Sequence, residues 1–396
     1  MDEYTEVTRQ GWFSRIGESI KGVLVGLVLF LVSFPLLWLN EGRAVRTARS
    51  LEEGAGAVIS VSADKVDPAN ESKLVHLSAL AQTTDLVSDP EFGVEQKAIK
   101  LVRTSEMYQW VETQKTETQK KLGGSEEKKT VYRYEKQWAS KVNDSGEFKI
   151  PAGHSNPPIK YPERTDTAKN VTVGAFSLPP AMLNDLAQST PLTLDASALA
   201  KASPEVQRIG TLHDGSFYLR PDASSASFDA TAPEVGDLRV RFSVVPAAVV
   251  SLVAQQQGNS FAPYQTKAGD PISMIKTGTL TAAQMFSSAT DANETLTWIL
   301  RLVGFLCMLF GAGLMLRPLV VVADVVPLIG SLLGLSTFLV SFAVAIPLSA
   351  ATIAIAWVVV RPVIGVAMLV GALAVLVGAV VLGRKRRRAR TATARA

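Results

Sequence analysis

One cysteine, Cys307, in a chain of 396 residues leaves no intrachain disulfide to form. Packing alone must hold the fold, and bridges say nothing of the compartment. Histidine is almost as scarce: His76, His154 and His213 stand far apart, in no metal-ligand spacing. No Walker A loop, dinucleotide glycine fingerprint or Gly-x-Ser-x-Gly elbow occurs. Gly54-Ala-Gly56 lacks a third glycine and reads as a turn before a strand. Gly153-His-Ser155 has no following glycine and sits in a proline-rich loop. The expectation is no catalytic residue, no cofactor, no metal and no enzyme. A hydrolase built on Asp and Glu alone has little to support it.

Charge, too, is missing where it matters. Residues 22–39 carry none, and 18 residues at 1.5 Å each reach about 27 Å, close to the hydrocarbon thickness of a bilayer. Trp38 suits an interface, Pro35 is expected to kink the helix, and Trp38-Leu39-Asn40-Glu41 is a poor signal-peptidase site. This is an uncleaved first span. Residues 296–316 make a second if Arg301 snorkels. Residues 325–360 are uncharged but broken by Pro327 and Pro347, and 362–383 are uncharged again. Either three or four helices follow the middle region, depending on whether 319–334 cross.

Positive charge favours the smaller number. Arg9, Arg15 and Lys21 precede the first span, and Arg384, Lys385, Arg386, Arg387, Arg388 and Arg390 follow the last. Both ends want the cytoplasm, so the number of spans is even. Asp324 then falls between spans, where a carboxylate costs less. The basic cluster reads as a stop at a membrane surface, not as a nucleic-acid site, and no nucleic-acid partner is expected.

Between the spans the pattern turns to period two, as in residues 73–80 and 237–244, the mark of half-buried strands. Residues 98–119 and 129–142 predict long strands around 121–128, which reads as an exposed hairpin tip. Residues 151–162 are loop, and 179–188 and 281–298 predict helices. The fold class is a membrane protein with four α-helical spans and a large, mostly β (α+β) extramembrane domain between the first and second. Residues 1–19 form a cytoplasmic N-terminus, 20–40 span one, and 41–295 the domain on the other side. Spans 296–316, 335–360 and 362–383 follow, with 317–334 interfacial or cytoplasmic and 384–396 a basic cytoplasmic tail. Gly22-x-x-x-Gly26 and Gly330-x-x-x-Gly334 predict close helix packing, in an oligomer or a tight bundle. Tyr108 and Trp110 are expected in the β core.

A set of contiguous stretches runs along the chain: Asn40-Glu-Gly-Arg-Ala44, Leu51-Glu-Glu-Gly54, Leu86-Val-Ser-Asp-Pro90 with Phe92-Gly-Val94, and Glu106-Met-Tyr-Gln-Trp-Val-Glu-Thr113. Pro233-Glu-Val-Gly-Asp-Leu-Arg-Val240, Thr266-Lys-Ala-Gly-Asp270 and Arg361-Pro362 complete them. In these stretches, and in their order, the chain resembles the transmembrane protein 43 (LUMA) family. Glu106, Tyr108, Trp110, Gly236, Asp237 and Arg239 are the motif residues, read as structural. The resemblance implies four spans, cytoplasmic termini and a lumenal domain. It implies self-association and, in animals, residence in the endoplasmic reticulum and inner nuclear membrane beside lamins and emerin. The Ala/Val/Arg-rich tail and spans look bacterial, which would make the domain periplasmic in an inner membrane and remove the lamina. The expected function is a non-catalytic, homo-oligomeric scaffold in the lipid bilayer that binds membrane or envelope proteins. The alternative is a transport or gating component with a pathway among the C-terminal helices.

Overall fold

The computed structural model describes residues 2–186, 188–221, 232–360, 366 and 370. The expected fourth span and basic tail lie outside the described residues, save for positions 366 and 370. In chain order the elements begin with β1 (Asp2–Gln10), α1 (Trp12–Ala57), β2 (Ile59–Ser60), β3 (Leu74–Thr83), β4 (Val87–Asp89), β5 (Val94–Gln96), β6 (Lys100–Lys120) and β7 (Glu126–Ala139). They continue with β8 (Arg164–Thr167), β9 (Val171–Val173), β10 (Phe176–Ser177), α2 (Pro180–Asn184), β11 (Thr190–Leu192), α3 (Ala198–Lys201), α4 (Pro204–Ile209), β12 (Gly210–His213) and β13 (Ser216–Leu219). The last are β14 (Leu238–Val245), β15 (Ala248–Gln257), β16 (Ser260–Ala262), β17 (Met274–Thr277), α5 (Ala282–Ala323) and α6 (Pro327–Val360).

These residues fall into two compact units. The first is Met1–Glu6, Ser50–Thr116 and Thr130–Ser288; the second is Val7–Arg49, Glu117–Lys129 and Ala289–Ala396.

The first unit is sheet-rich. One sheet has the order β1-β7-β6-β14-β13-β12, with β8 on β6 and β11 on β14. The other runs β10-β9-β3-β15-β16, with β17 on β15 and a parallel β2 on β3. Alternation dictates which side chains go in. On β6, Leu101, Arg103, Ser105, Met107 and Gln109 are buried, and on β14 Leu238, Val240 and Phe242. The register sets Leu238 opposite Met107 and Val240 opposite Ser105, so both strands turn one apolar face the same way. Both sheets feed one core, in which the Phe92 ring meets those of Tyr161, Phe217 and Phe242 at 5.3, 5.0 and 5.6 Å. The buried Arg103 lies over Phe92 and is answered by Asp89 at 2.9 Å, which compensates its desolvation.

The second unit is helical. Among the described residues three helices, α1, α5 and α6, are long and apolar enough to cross a membrane. α1 does not stop at the expected boundary of 40. It runs through Pro35 without a break and on to Ala57, because residues 43–53 are rich in Ala, Arg, Glu and Leu, good helix formers. The expected β domain therefore begins after a helical extension. Nor are residues 1–19 a plain tail, since they hold β1 and the first turns of α1. α5 starts in a capping box: Thr281 Oγ1 accepts from Gln284 N at 3.2 Å and Gln284 Oε1 from Thr281 N at 2.9 Å. Residues 317–334 are mostly helical. Helix continues to Ala323, resumes at Pro327, and leaves only a turn around Asp324.

Partner numbers fall along α5 as they rise along α1, so the two are antiparallel. Gly26 abuts Gly311, Leu37 abuts Gly304, and Asn40 bonds Thr297. α6 returns antiparallel to α5, with Gly334 near Val320 and Gly313 near Ser341. Leu37, Met308, Leu309 and Ala345 form the bundle core, while Leu24, Val28, Leu31 and Val32 of α1 remain exposed, as a lipid-facing side should.

Candidate functional site

Charged residues inside an apolar bundle are the first place to look for function, because lipid penalises them. In the second unit they gather at the two ends of the apolar stretch. At one end α1 offers Asn40, Glu41 and Arg43, and α5 offers Asn293, Thr297 and Arg301, spaced four apart and hence on one helix face. Glu41 is 1% exposed and takes Arg301 in a two-point bond, Nε to Oε1 at 2.6 Å and Nη2 to Oε2 at 2.8 Å. Trp357 of α6 donates its indole N–H to the same carboxylate at 2.5 Å. The Arg301 guanidinium lies 4.7 Å from the Trp298 ring centre and 5.7 Å from that of Trp357. Arg43 donates to Asn293 Oδ1 at 2.8 Å and Thr297 Oγ1 at 2.9 Å, and Asn40 donates to the Thr297 carbonyl at 3.1 Å. A cavity of about 270 Å³ opens between Glu41, Ala48, Glu294, Trp298, Arg301 and Trp357.

At the other end Arg15, 7% exposed, bonds Asp324, 1% exposed, at 2.5 Å and Glu126 at 2.8 Å. Lys120 reaches Asp324 at 2.8 Å. The tip of the β6–β7 hairpin is docked here: Gly124 O accepts from Arg15 and Gly123 N donates to Val325 O at 3.0 Å. Trp12 donates to Val321 O at 2.9 Å and covers Gly124, whose φ of +77° and lack of a Cβ permit the approach. The expected free tip is thus anchored through Gly124, although Lys121, Leu122 and Gly123 stay exposed. It touches two segments, 1–19 and 317–334, that charge had set apart from residues 41–295.

Of the four glycines expected to pack helices, Gly26 faces α5 closely: a Cβ there would lie 2.7 Å from Gly311 O. Gly22 is looser, 4.0 Å from Leu314, and Gly334 has Val320 at 3.7 Å. Gly330 closes on Asp324 itself. All four contacts are within this chain. The counterparts that pattern reading missed are Gly304 and Gly311, seven apart on α5, facing Leu37 and Phe30, seven apart on α1.

The six motif residues of the first unit come together on neighbouring strands. Tyr108 N donates to Asp237 O at 2.8 Å, Gly236 N to Tyr108 O at 2.9 Å, and Arg239 Nη2 meets Glu106 at 2.6 Å. Asp237 is buried and holds Arg220 at 2.9 Å. Gly236 turns at a φ of +98°, which starts β14. Tyr108 and Trp110 are not in the β core: strand alternation turns them to the opposite face from Met107 and Gln109, where both are half-buried. Trp110 lies under a loop, its ring 4.6 Å from His154 and its backbone bonded to Asn156. Tyr108 belongs to a row with Trp138 at 5.5 Å, while Trp138 stacks under Arg239 at 4.9 Å and meets Tyr218 at 6.1 Å.

Among the described residues no group of three or more His, Cys, Asp or Glu could hold a metal ion. His76 is packed between Ser60 and the Leu280 carbonyl.

A family model described as transmembrane protein 43 matches residues 107–362. The chain is similar to transmembrane protein 43 of Mus musculus, 35% identical over 389 residues, covering 94% of this chain and 93% of that one. The Homo sapiens protein is 34% identical over 90% of this chain and 88% of its own length. A homologue in Drosophila melanogaster is 30% identical over 87% and 90%. No solved structure matches.

Proposed function

Because this chain belongs to the transmembrane protein 43 family of integral membrane proteins, we propose that it is a non-catalytic, self-associating membrane scaffold that binds other proteins through its sheet-rich unit. The observation that carries this is the half-buried row of Tyr108, Trp138, Arg239 and Tyr218 on the sheet face away from the core. Aromatic and arginine side chains dominate the energetics of protein interfaces, because they bury much area at little conformational cost. The row is built on the family's own motif strands. Arg239 is held by Glu106, which leaves its guanidinium plane fixed over Trp138.

Affinity purification from native membranes tests the reading with wild type and a Trp138→Ala, Tyr218→Ala double variant. The scaffold reading expects the same amount of folded protein and a loss of co-purifying partners. An unchanged partner set with intact folding overturns the sheet face as the binding surface. Self-association belongs to the same proposal and is read by native mass spectrometry in detergent. Gly22 and Gly26 are engaged within the chain, so the outward faces of the helices or the sheet face must carry it.

The alternative, a pathway among the C-terminal helices, finds little support in their polar residues. Ser331, Ser336, Thr337, Ser341, Ser349 and Thr352 each bond a carbonyl three or four residues back in their own helix.

A further inference from the structure

The stretch Asn40-Glu-Gly-Arg-Ala44 is a family motif that the scaffold reading leaves unused, and it lies wholly within the helical unit. Glu41 and Ala44 line the cavity of about 270 Å³ in that unit. Asn40 and Arg43 bond Thr297 and Asn293, and so fix the facing stretch of α5. That stretch brings Glu294, Trp298 and Arg301 to the cavity wall, spaced four and three apart on one helix face.

The uncommitted groups define what fits. Arg301 Nε and Nη2 are taken by Glu41, but Nη1 bonds none of the described residues, which leaves one edge of the guanidinium for an anion. Glu294 is exposed, and its carboxylate has no hydrogen bond or ion pair among the described residues. Long side chains lean towards the N-terminus of their helix, so Arg301 lies over Trp298 and reaches back towards Glu294. An anion position and a cation position are thus neighbours. Glu41 and Glu294 balance Arg43 and Arg301, so a ligand with both charges keeps the site neutral, while one with a single charge does not. Arg301 already holds the cation–π position over both Trp298 and Trp357. Recognition of the ligand's ammonium therefore falls to a carboxylate and needs N–H donors, which a primary ammonium has and a quaternary one lacks.

Position in the bundle names the source of such a ligand. The cavity stands where the uncharged stretch of α1 gives way to charge, which is headgroup depth. Trp298 is 67% exposed there, as suits a tryptophan at a membrane interface. Ile299 and Leu302, also exposed, continue that side of α5 into the apolar stretch, a track for an acyl chain. The volume lies just under the roughly 300–1,000 Å³ of pockets that enclose a whole small molecule, so a headgroup fits while its chains stay in lipid. We propose that the helical unit binds a zwitterionic phospholipid with a primary ammonium, its phosphate on Arg301 and its ammonium on Glu294.

The test uses the full chain, purified in detergent and washed free of lipid. It is titrated in native mass spectrometry with phosphatidylethanolamine, phosphatidylcholine and phosphatidylglycerol of identical acyl chains. Phosphatidylethanolamine is expected to bind roughly tenfold more tightly than either of the others, the worth of one charge-assisted hydrogen bond. Glu294→Gln is expected to erase that preference and Glu294→Lys to turn it towards phosphatidylglycerol, both with the wild-type melting temperature because the position is exposed. Equal affinity for the three lipids, or a preference that survives Glu294→Gln, overturns the proposal. Soluble phosphoethanolamine at the same concentration is expected not to compete; full competition would make a free metabolite the occupant and overturn the lipid. A second reading leaves Glu294 in place. In phosphatidylcholine bilayers, tryptophan fluorescence is expected to be quenched more by added phosphatidylethanolamine brominated near the glycerol than by phosphatidylglycerol brominated there. Trp298→Phe should lose most of that difference, and equal quenching of the wild type by the two lipids overturns the site. None of these results depends on a protein partner, so they stand or fall apart from the scaffold reading.

Discussion

Gly26 and Gly311 meet backbone against backbone: a Cβ on Gly26 would lie 2.7 Å from the Gly311 carbonyl oxygen, and one on Gly311 would lie 2.7 Å from Phe30 N. Backbone atoms cannot swing aside as side chains do, so α1 and α5 must separate to admit a methyl. Gly26→Ala is expected to destabilise the purified protein in detergent by roughly 1–3 kcal/mol, the usual cost of overpacking. Gly22→Ala, with its nearest atom 4.0 Å away, should be close to neutral. Equal melting shifts for the two variants would show that α1 packs on α5 by another face.

Glu41 and Arg301 are expected to behave as a unit. Removing one charge strands the other in a buried site, which typically costs about 3–5 kcal/mol. Glu41→Gln and Arg301→Met should each lower the melting temperature sharply, and the double variant should recover much of the loss. Additive losses in this double-mutant cycle would mean the pair is not coupled.

Phe92 and Trp110 separate core from surface. Phe92→Ala opens a hole among Tyr161, Phe217 and Phe242, at an expected cost of about 3–5 kcal/mol. Trp110→Ala loses a half-buried ring, its edge contact with His154 and a cation–π contact with Lys136, and is expected to cost less than the Phe92 variant. Thermal melts of the two variants side by side decide it, and the reverse order would return Trp110 to the core.

Tyr134 and Tyr161 should titrate late. Burial, followed by the bond from the phenol to Glu112, pushes Tyr134 up to about 12. Burial, followed by the charge of Glu205, does the same to Tyr161, also to about 12. Each folded pKa lies above the unfolded value of about 10, so the folded state holds the proton more tightly. That contribution to stability is complete below about pH 10 and is lost as pH rises towards 12. Tyrosinate absorbance should show late-titrating groups, fewer in Tyr134→Phe and in Tyr161→Phe. An absorbance curve identical to that of the wild type in both variants would show that neither phenol is shielded.

Much was determined by the sequence alone. Uncharged runs of membrane length, period-two strands and the long hairpin around residue 121 are local patterns, set by where neighbouring side chains must point. The family was legible too, since its motifs are contiguous stretches such as residues 106–113. Tertiary structure decided what contiguity cannot carry. Tyr108 and Trp110 alternate with Met107 and Gln109, but which set faces the core depends on which side of β6 the second sheet covers. The end of α1 at Ala57 was hidden because 41–57 is polar enough to resemble the start of a soluble domain, while its helix propensity continues unbroken. Gly304 and Gly311 matter only because α5 lies antiparallel to α1, and no spacing within α5 announces its partner. The same holds for Asp324, 309 residues from Arg15 in sequence yet bonded to it at 2.5 Å. Charge counting could assign each to a membrane face, but only the folded bundle brings the hairpin tip there with them.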